Sequence, residues 1–353
     1  MKNLKLGMKI GMGFGILLLI ACALGGMAMM NMLSVGAQAD RLAQEIAPEV
    51  AIANQVERNA LNTVLNVRAF GYTSDAKFKD AGLKYLAEVE KYLKDARDLA
   101  QKHPGLVKLR EASDKTTATV AEWRKYIAAS FDLEHAIDEN RKVMDQAAQV
   151  FMSNSQKYLE EQNTALAAAA AKGPVATQEA LERLEKITLI NDVMDLGNAV
   201  RLANFKGQAL RDQKLIQDAM KNFDGISQKL AKLRPLTRNP APLQALADTG
   251  KAGEAYKEAM LAYLKNTQAM EDNGKKRAVA TAEVLKAAED IAVYGVKVTE
   301  ELTAEASHSL SRASTIMVVG LGLALVLGIV VSIVITKGIT GPVTLGVGFA
   351  QKM

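Results

Sequence analysis

Residues 313–336 read ASTIMVVGLGLALVLGIVVSIVIT and residues 10–32 read IGMGFGILLLIACALGGMAMMNM, and neither segment contains a charged side chain. An α-helix of about 20 apolar residues is long enough to cross the hydrocarbon core of a bilayer. We therefore predict two transmembrane helices, at residues 10–32 and 313–336. Residues 33–312 are predicted to lie together on one side of the membrane.

Basic residues at the outer ends of these two segments indicate the orientation of the chain. The flanks, residues 1–9 and 337–353, contain no acidic residue and hold Lys2, Lys5, Lys9, Lys337 and Lys352. The chain has 44 basic and 39 acidic residues, so without these five lysines it holds 39 of each. The positive-inside rule places such flanks in the cytoplasm. The segment 33–312 is then extracytoplasmic and formally neutral, and it has no basic excess for binding nucleic acid.

The composition of residues 33–312 favours helices throughout. Aromatic residues make up only 5% of the chain, and apolar residues recur at steps of three and four. This spacing indicates amphipathic helices that pack as a bundle. Glycine and proline breaks divide the segment into six predicted helices, at residues 33–72, 75–102, 105–172, 175–208, 212–233 and 242–312. We expect Pro48 to kink the first of them.

The third and sixth predicted helices are each roughly 100 Å long at 1.5 Å per residue, and the other four are much shorter. If consecutive helices alternate in direction, the two long ones run through two bundles. The predicted fold is therefore all-α, with two transmembrane helices flanking a six-helix extracytoplasmic domain of two stacked four-helix bundles that share two long helices. A weak repeat at an offset of 133 residues pairs Arg68 with Arg201 and Trp123 with Tyr256, in agreement with two modules.

The residues after the second apolar segment resemble a known signalling element. Residues 336–343 read TKGITGPV, which resembles the start of a HAMP-type linker. In that element a proline shortly after the membrane begins the first helix of a parallel coiled coil, and Pro342 suits a first helical turn. Gly341 departs from the pattern, because many members carry a basic residue there. We assign residues 337–353 to this linker.

The layout of two spans, a helical outer domain and a HAMP-like start resembles the bacterial methyl-accepting chemotaxis proteins, with an outer domain of the helical bimodular type. This resemblance implies a multi-pass receptor of the bacterial inner membrane, a periplasmic sensor at residues 33–312 and a homodimer. It also implies that a cytoplasmic kinase and adaptor complex acts through residues beyond Met353. Two alternatives share these features: the sensor portion of a membrane histidine kinase, and a ligand-free structural or adaptor bundle.

Arginines on the first outer helix are candidates for ligand contacts. The resemblance implies that such arginines bind the carboxylates of small organic or amino acids, since a guanidinium forms a two-pronged contact with a carboxylate. Arg58, Asn62 and Arg68 lie on one helical face. We therefore expect a small anionic ligand, such as an organic acid, at this face.

Distance from the membrane predicts the partners of this face on the descending sixth helix. Residues level with Arg58 and Arg68 fall near 287 and 277, which selects Arg277 and, by the resemblance, Thr281. The repeat adds Arg201 and Asn198 as a possible second site. No motif for a nucleophile, a phosphate loop or a metal site is present in the sequence, so we expect neither an enzyme nor a bound cofactor or metal.

Overall fold

The computed structural model describes residues 6–350, and every regular element in this range is a helix. The elements are α1 (Leu6–Arg41), a π-helical turn (Leu42–Ile46), α2 (Ala47–Thr73), α3 (Ala76–Lys102), α4 (Val107–Ala171), α5 (Thr177–Leu210), α6 (Gln213–Ala219), α7 (Asn222–Leu236) and α8 (Pro240–Ala350). The prediction of an all-α fold is confirmed. The prediction of two long helices is also confirmed, because α4 has 65 residues and α8 has 111.

The predicted single helix at 212–233 is wrong, because two helices, α6 and α7, occupy this range. They meet at a tight turn in which the N–H of Lys221 donates to the carbonyl of Asp218 (3.3 Å) and that of Phe223 to the carbonyl of Met220 (3.2 Å). Such i→i−3 bonds tighten a helix without reversing it. Ile216 and Phe223, on either side, are both buried, so the apolar spacing continues across the break.

The kink expected at Pro48 takes the form of a π-helical turn directly before this proline. The N–H of Ala47 donates to the carbonyl of Leu42, five residues earlier. Proline has no N–H to donate, and its ring collides with the carbonyl four residues before it in a regular helix. The wider turn at Leu42–Ile46 accommodates Pro48, and α2 then continues to Thr73.

The first of two compact units comprises, within residues 6–350, the chain up to Asn62, Lys84–Thr119 and the chain from Glu283 onward. Segments of α2, α3, α4 and α8 thus form a four-helix bundle. Its core joins side chains from all four segments, namely Ile46, Ala53, Ala96, Ala100, Leu106, Leu109, Ile291 and Val298. Burial of such side chains from water is the main contribution to the stability of the bundle.

The two apolar segments of the sequence lie on α1 and α8, the helices that are long and apolar enough to cross a membrane. Their large side chains are exposed, as at Leu19 (71%) and Leu321 (62%). Small residues let the two helices approach each other closely. A Cβ atom built at Gly13 would lie 2.6 Å from Val331 Cγ1, and one at Gly320 would lie 2.6 Å from Leu24 Cδ2. Close packing at glycine is typical of helix pairs in lipid.

The second unit comprises Thr63–Leu83 and Val120–Ala282. Its core includes the aromatic residues Phe151, Tyr158, Phe223 and Tyr256 together with aliphatic side chains of α5 and α7. The buried hydroxyl of Tyr158 on α4 lies 2.7 Å from Oγ1 of Thr237, and this hydrogen bond links α4 to the end of α7. The sequence repeat corresponds to similar burial here: Trp123 is 1% exposed and Tyr256 is 5% exposed.

Candidate functional site

A cavity of about 480 Å³ lies within the second unit. Residues of α2, α4, α5, α6 and α8, together with Arg211 between α5 and α6, line it. Six charged residues are among them: Arg68, Glu134, Arg141, Arg211, Glu271 and Arg277. The cavity is in the size range of pockets that bind small molecules, and polar groups from several helices converge on it. It is therefore the candidate ligand site.

Arg277 and Arg68 form one end of this cavity. The Nη1 atom of Arg277 donates to Ser130 Oγ at 2.6 Å, and Asn273 Nδ2 donates to the same oxygen at 2.9 Å. Desolvation, followed by the positive charge of Arg68, lowers the pKa of Arg277. Neither arginine forms an ion pair with a carboxylate of residues 6–350. Two cations that share a partly desolvated space favour an anion between them.

Arg141 and Arg211 lie at the other end of the cavity. Arg141 Nη1 is 2.7 Å from Asp138 Oδ1, and its Nε donates to Gln208 Oε1 at 3.2 Å. Glu134 also lines this end, and burial, with the charge of Asp138, raises its pKa, while Arg141 and Arg211 oppose the shift. Acids and arginines are therefore mixed here, in contrast to the end formed by Arg68 and Arg277.

Arg211 is held in an unusual backbone conformation. It follows the last residue of α5 with φ 56° and ψ 34°, in the left-handed region that glycine normally occupies at a helix end. Its guanidinium lies over the ring of Tyr72, 5.4 Å from the centroid. Among residues 6–350, Ser74 is the other non-glycine residue with positive φ. Strained residues that persist at a cavity are typical of functional sites.

The structure brings two of the predicted site residues together and separates the others. Arg68 and Arg277 line one cavity, whereas Arg58 and Asn62 do not line it. The hydroxyl of Thr281 donates to the carbonyl of Arg277 at 2.8 Å, within its own helix. Thr281 therefore uses its donor on the backbone and is not among the lining residues.

The predicted second site around Arg201 has a different form. Arg201 borders two other cavities of the second unit, of about 20 and 660 Å³, and its buried Nε has no hydrogen-bond partner within residues 6–350. Asn198 is exposed and borders neither of them. Asn204, three residues after Arg201, is buried and donates to the hydroxyl of Tyr256 at 2.9 Å. Asn204 therefore has a packing role in the core.

Most polar residues of the main cavity were not predicted from the sequence, among them Ser130, Glu134, Arg141 and Arg211. Ser130, Glu134 and Arg141 follow each other on α4 at steps of four and seven, which places them on one helical face. That spacing is visible in the sequence and could have predicted a polar face on α4. No sequence pattern indicated Arg211 as a lining residue, because its position depends on the left-handed turn that ends α5.

Comparison with known proteins identifies the family of this chain. The sequence model of the family described as "Four helix bundle sensory module for signal transduction" matches residues 3–178. The match includes Arg68 and the cavity residues of α4. A comparison with curated proteins finds no match. The chain therefore belongs to the four-helix-bundle sensory modules of methyl-accepting chemoreceptors, a family of signal-transduction sensors and not of enzymes.

Proposed function

We propose that this chemoreceptor-type sensor binds a small carboxylate between Arg68 and Arg277. One observation carries the proposal: two guanidinium groups line the same cavity, and neither has a carboxylate partner in residues 6–350. A bound carboxylate would offset their mutual repulsion and accept charge-assisted hydrogen bonds from both. Ser130, which already accepts a hydrogen bond from Arg277, holds this guanidinium towards the cavity.

The proposed signal passes along α8. Arg277 and the apolar segment 313–336 lie on one uninterrupted helix, Pro240–Ala350. A ligand that draws Arg277 towards Arg68 on α2 shifts α8 by an ångström or two, and a difference of a few kcal/mol between two states is enough to change their populations. The shift would reach the HAMP-like residues 337–353, of which 351–353 lie outside the described residues.

We further propose that the sensor segment 33–312 is periplasmic, that the receptor is a homodimer in the bacterial inner membrane, and that its output reaches a cytoplasmic kinase and adaptor complex. The five lysines beside the two apolar segments support this orientation. The resemblance of residues 336–343 to a HAMP-type linker supports the dimer, since that linker is built from two chains. Chemotaxis towards or away from an organic acid is the proposed outcome.

The test is calorimetric titration of the full chain in lipid nanodiscs with a panel of organic acids. Arg68→Ala and Arg277→Ala should each weaken binding of the best acid by at least about 1.5 kcal/mol, the scale of one charge-assisted hydrogen bond. Arg97→Ala is the matched control, because Arg97 is an exposed arginine of α3 that does not line the cavity.

Three results would contradict the proposal in different ways. If no acid binds a folded preparation, the proposal is contradicted and the result favours the ligand-free structural or adaptor bundle. If Arg58→Ala weakens binding and Arg68→Ala does not, the site lies outside the cavity. If Arg97→Ala weakens binding as much as Arg68→Ala does, the effect reflects the overall charge of the protein and not a defined site.

A further inference from the structure

We propose that the cavity selects an extended dianion, an acid whose two anionic groups lie on the order of 10 Å apart on an apolar spacer. The inference rests on the proposed function, because it places one carboxylate between Arg68 and Arg277. It adds a second anion site at the opposite end, formed by Arg211 with Arg141 behind it. The four arginines, the positions of their partners along α4 and the left-handed backbone at Arg211 support it.

The two ends of the cavity stand at different levels along α4. Arg277 is bonded to Ser130, whereas Arg141 is bonded to Asp138 and to Gln208 of α5. The distance from Ser130 to Asp138 and Arg141 along the helix is roughly 12–16 Å at 1.5 Å per residue. Anionic groups placed about 3 Å inside each end are then about 6–10 Å apart. An acid as short as succinate reaches only one end.

The charge of the cavity lining favours a ligand with two negative charges. Four arginines and two glutamates line the cavity. Glu271 is paired with Lys275 at 2.9 Å and Arg141 with Asp138 at 2.7 Å, and neither Lys275 nor Asp138 is a lining residue. These two pairs balance each other, so the lining keeps an excess of two positive charges. Arg68 and Arg277 carry this excess at their end, so a single carboxylate there neutralises only part of it. A second anionic group can contact Arg211 at the other end, where Glu134 opposes it.

The backbone at Arg211 points to a ligand contact at the second end. A residue with a Cβ atom is unfavourable in the left-handed region, and glycine or asparagine is common where a helix ends in this way. Arg211 nevertheless occupies this position with φ 56°, lines the cavity, and stacks on Tyr72. No acid of residues 6–350 forms an ion pair with it. Its guanidinium is thus available to an anion in the cavity.

The middle of the cavity suits an apolar spacer. Phe131, Ile137 and Ile216 line it and are buried, and Tyr263 lies beneath Arg141 with 5.6 Å between the guanidinium carbon and the ring centroid. Phe70 packs edge-on against Phe131 at 5.0 Å between ring centroids, which fixes the orientation of the ring. A chain of methylene groups laid against this wall is removed from water, and each one buried strengthens binding about fourfold.

The test compares azelate with an acid of equal length that lacks the second carboxylate and with a shorter acid that has two. Azelate has carboxyl carbons roughly 10 Å apart at ~1.2 Å per extended bond. We expect the full chain in nanodiscs to bind azelate at least about tenfold more tightly than succinate or 9-hydroxynonanoate, because each lacks one anionic contact. Arg211→Gly should remove this advantage and leave succinate unchanged. Arg68→Ala should weaken all three ligands.

Arg211→Gly is well suited to this test, because glycine is the residue that the backbone at position 211 favours. The variant should fold at least as stably as the parent, so a loss of azelate binding would not reflect unfolding. Arg97→Ala is the matched control. It also removes one arginine, and Arg97 is exposed and does not line the cavity, so azelate binding should stay at the parental value.

A second variant distinguishes a dianion from a zwitterion. Glu134 is a carboxylate at the far end of the cavity, and Glu134→Gln should tighten azelate binding about threefold, which is the repulsion of two unit charges about 6 Å apart in water. For 9-aminononanoate the same change should weaken binding. If the parent protein prefers the amino acid to azelate, the inference is overturned and the ligand class is zwitterionic.

The remaining outcomes separate this inference from the proposed function. If succinate binds as tightly as azelate, or if Arg211→Gly leaves the azelate affinity unchanged, the second anion site does not exist, whereas the contact with Arg68 and Arg277 still stands. If none of the acids binds the parent protein, the proposed function fails and this inference fails with it. A tenfold preference for azelate that disappears only in Arg211→Gly supports both.

Discussion

Glu49 should make the stability of the first unit depend on pH. Its side chain is 0% exposed, and neither carboxylate oxygen has a hydrogen-bond partner within residues 6–350. Burial raises the pKa of Glu49 to about 7, and the negative charge of Glu45 adds to this shift, while Arg41 and Lys108 oppose it. The perturbation we consider is Glu49→Gln, which keeps the shape of the side chain and removes its charge.

The sign follows from the number of protons that each state binds. The folded carboxyl has a pKa of about 7 and the ordinary value is 4.5, so between these pH values the folded state keeps a proton that the unfolded state has lost. Stability therefore falls as the pH rises from about 4.5 to about 7 and is constant outside this window with respect to this group. The total loss is about 3 kcal/mol, at about 1.4 kcal/mol per pH unit.

The assay is urea denaturation of the full chain in nanodiscs, followed by helical circular dichroism between pH 4.5 and pH 8. The difference between the parent and Glu49→Gln isolates this group, because every other residue is common to both. The parent should lose about 3 kcal/mol relative to the variant across the range. Glu289→Gln, which alters an exposed glutamate of α8 in the same unit, should follow the parent.

The reasoning would be refuted if the curves of the parent and Glu49→Gln run parallel from pH 4.5 to pH 8. A constant offset would mean that the pKa of Glu49 is the same in the folded and unfolded states, so that its surroundings compensate for its burial. A difference of the opposite sign, with the parent gaining stability as the pH rises, would mean that Lys108 or Arg41 forms an ion pair with the carboxylate in solution.

Three further substitutions test the packing of the second unit by urea denaturation. Gly207→Ala should destabilise it by about 1–3 kcal/mol, because the new Cβ atom would lie 2.5 Å from Ile216 Cγ1, whereas Gly274→Ala meets no atom within 4 Å and should stabilise α8 by about 0.5–1 kcal/mol. Tyr158→Phe should cost about 1 kcal/mol, since it removes the buried hydrogen bond to Thr237, and an unchanged midpoint would contradict that contact.

Most of the helical architecture was predictable because hydrophobic spacing and strong breaks determine it. The predicted helix 105–172 differs from α4, Val107–Ala171, by two residues at most at either end. The separation of α6 from α7 was not predictable, since a tightened turn leaves the apolar spacing intact and requires neither glycine nor proline. The π-helical turn at Leu42–Ile46 was foreseen only as a disturbance near Pro48, because sequence shows where a helix is perturbed and not which hydrogen bonds replace the lost one.

In the candidate site, the residues on long helices were predictable from the sequence, whereas the residue at the end of α5 was not. Counting residues from the membrane placed Arg277 level with Arg68, and both line one cavity, because helical rise is uniform along straight helices. The end of the cavity formed by Arg211 depends on how a helix ends and not on helical rise. The sequence predicted a break between residues 208 and 212, and the chain does turn there, at Arg211. It did not show that Gly207 serves the close contact with Ile216 or that an arginine takes the left-handed position. An arginine in a position that favours glycine costs about 1 kcal/mol or more. That cost is tolerable if the guanidinium at this point is needed for binding, and the response of Arg211→Gly decides whether it is.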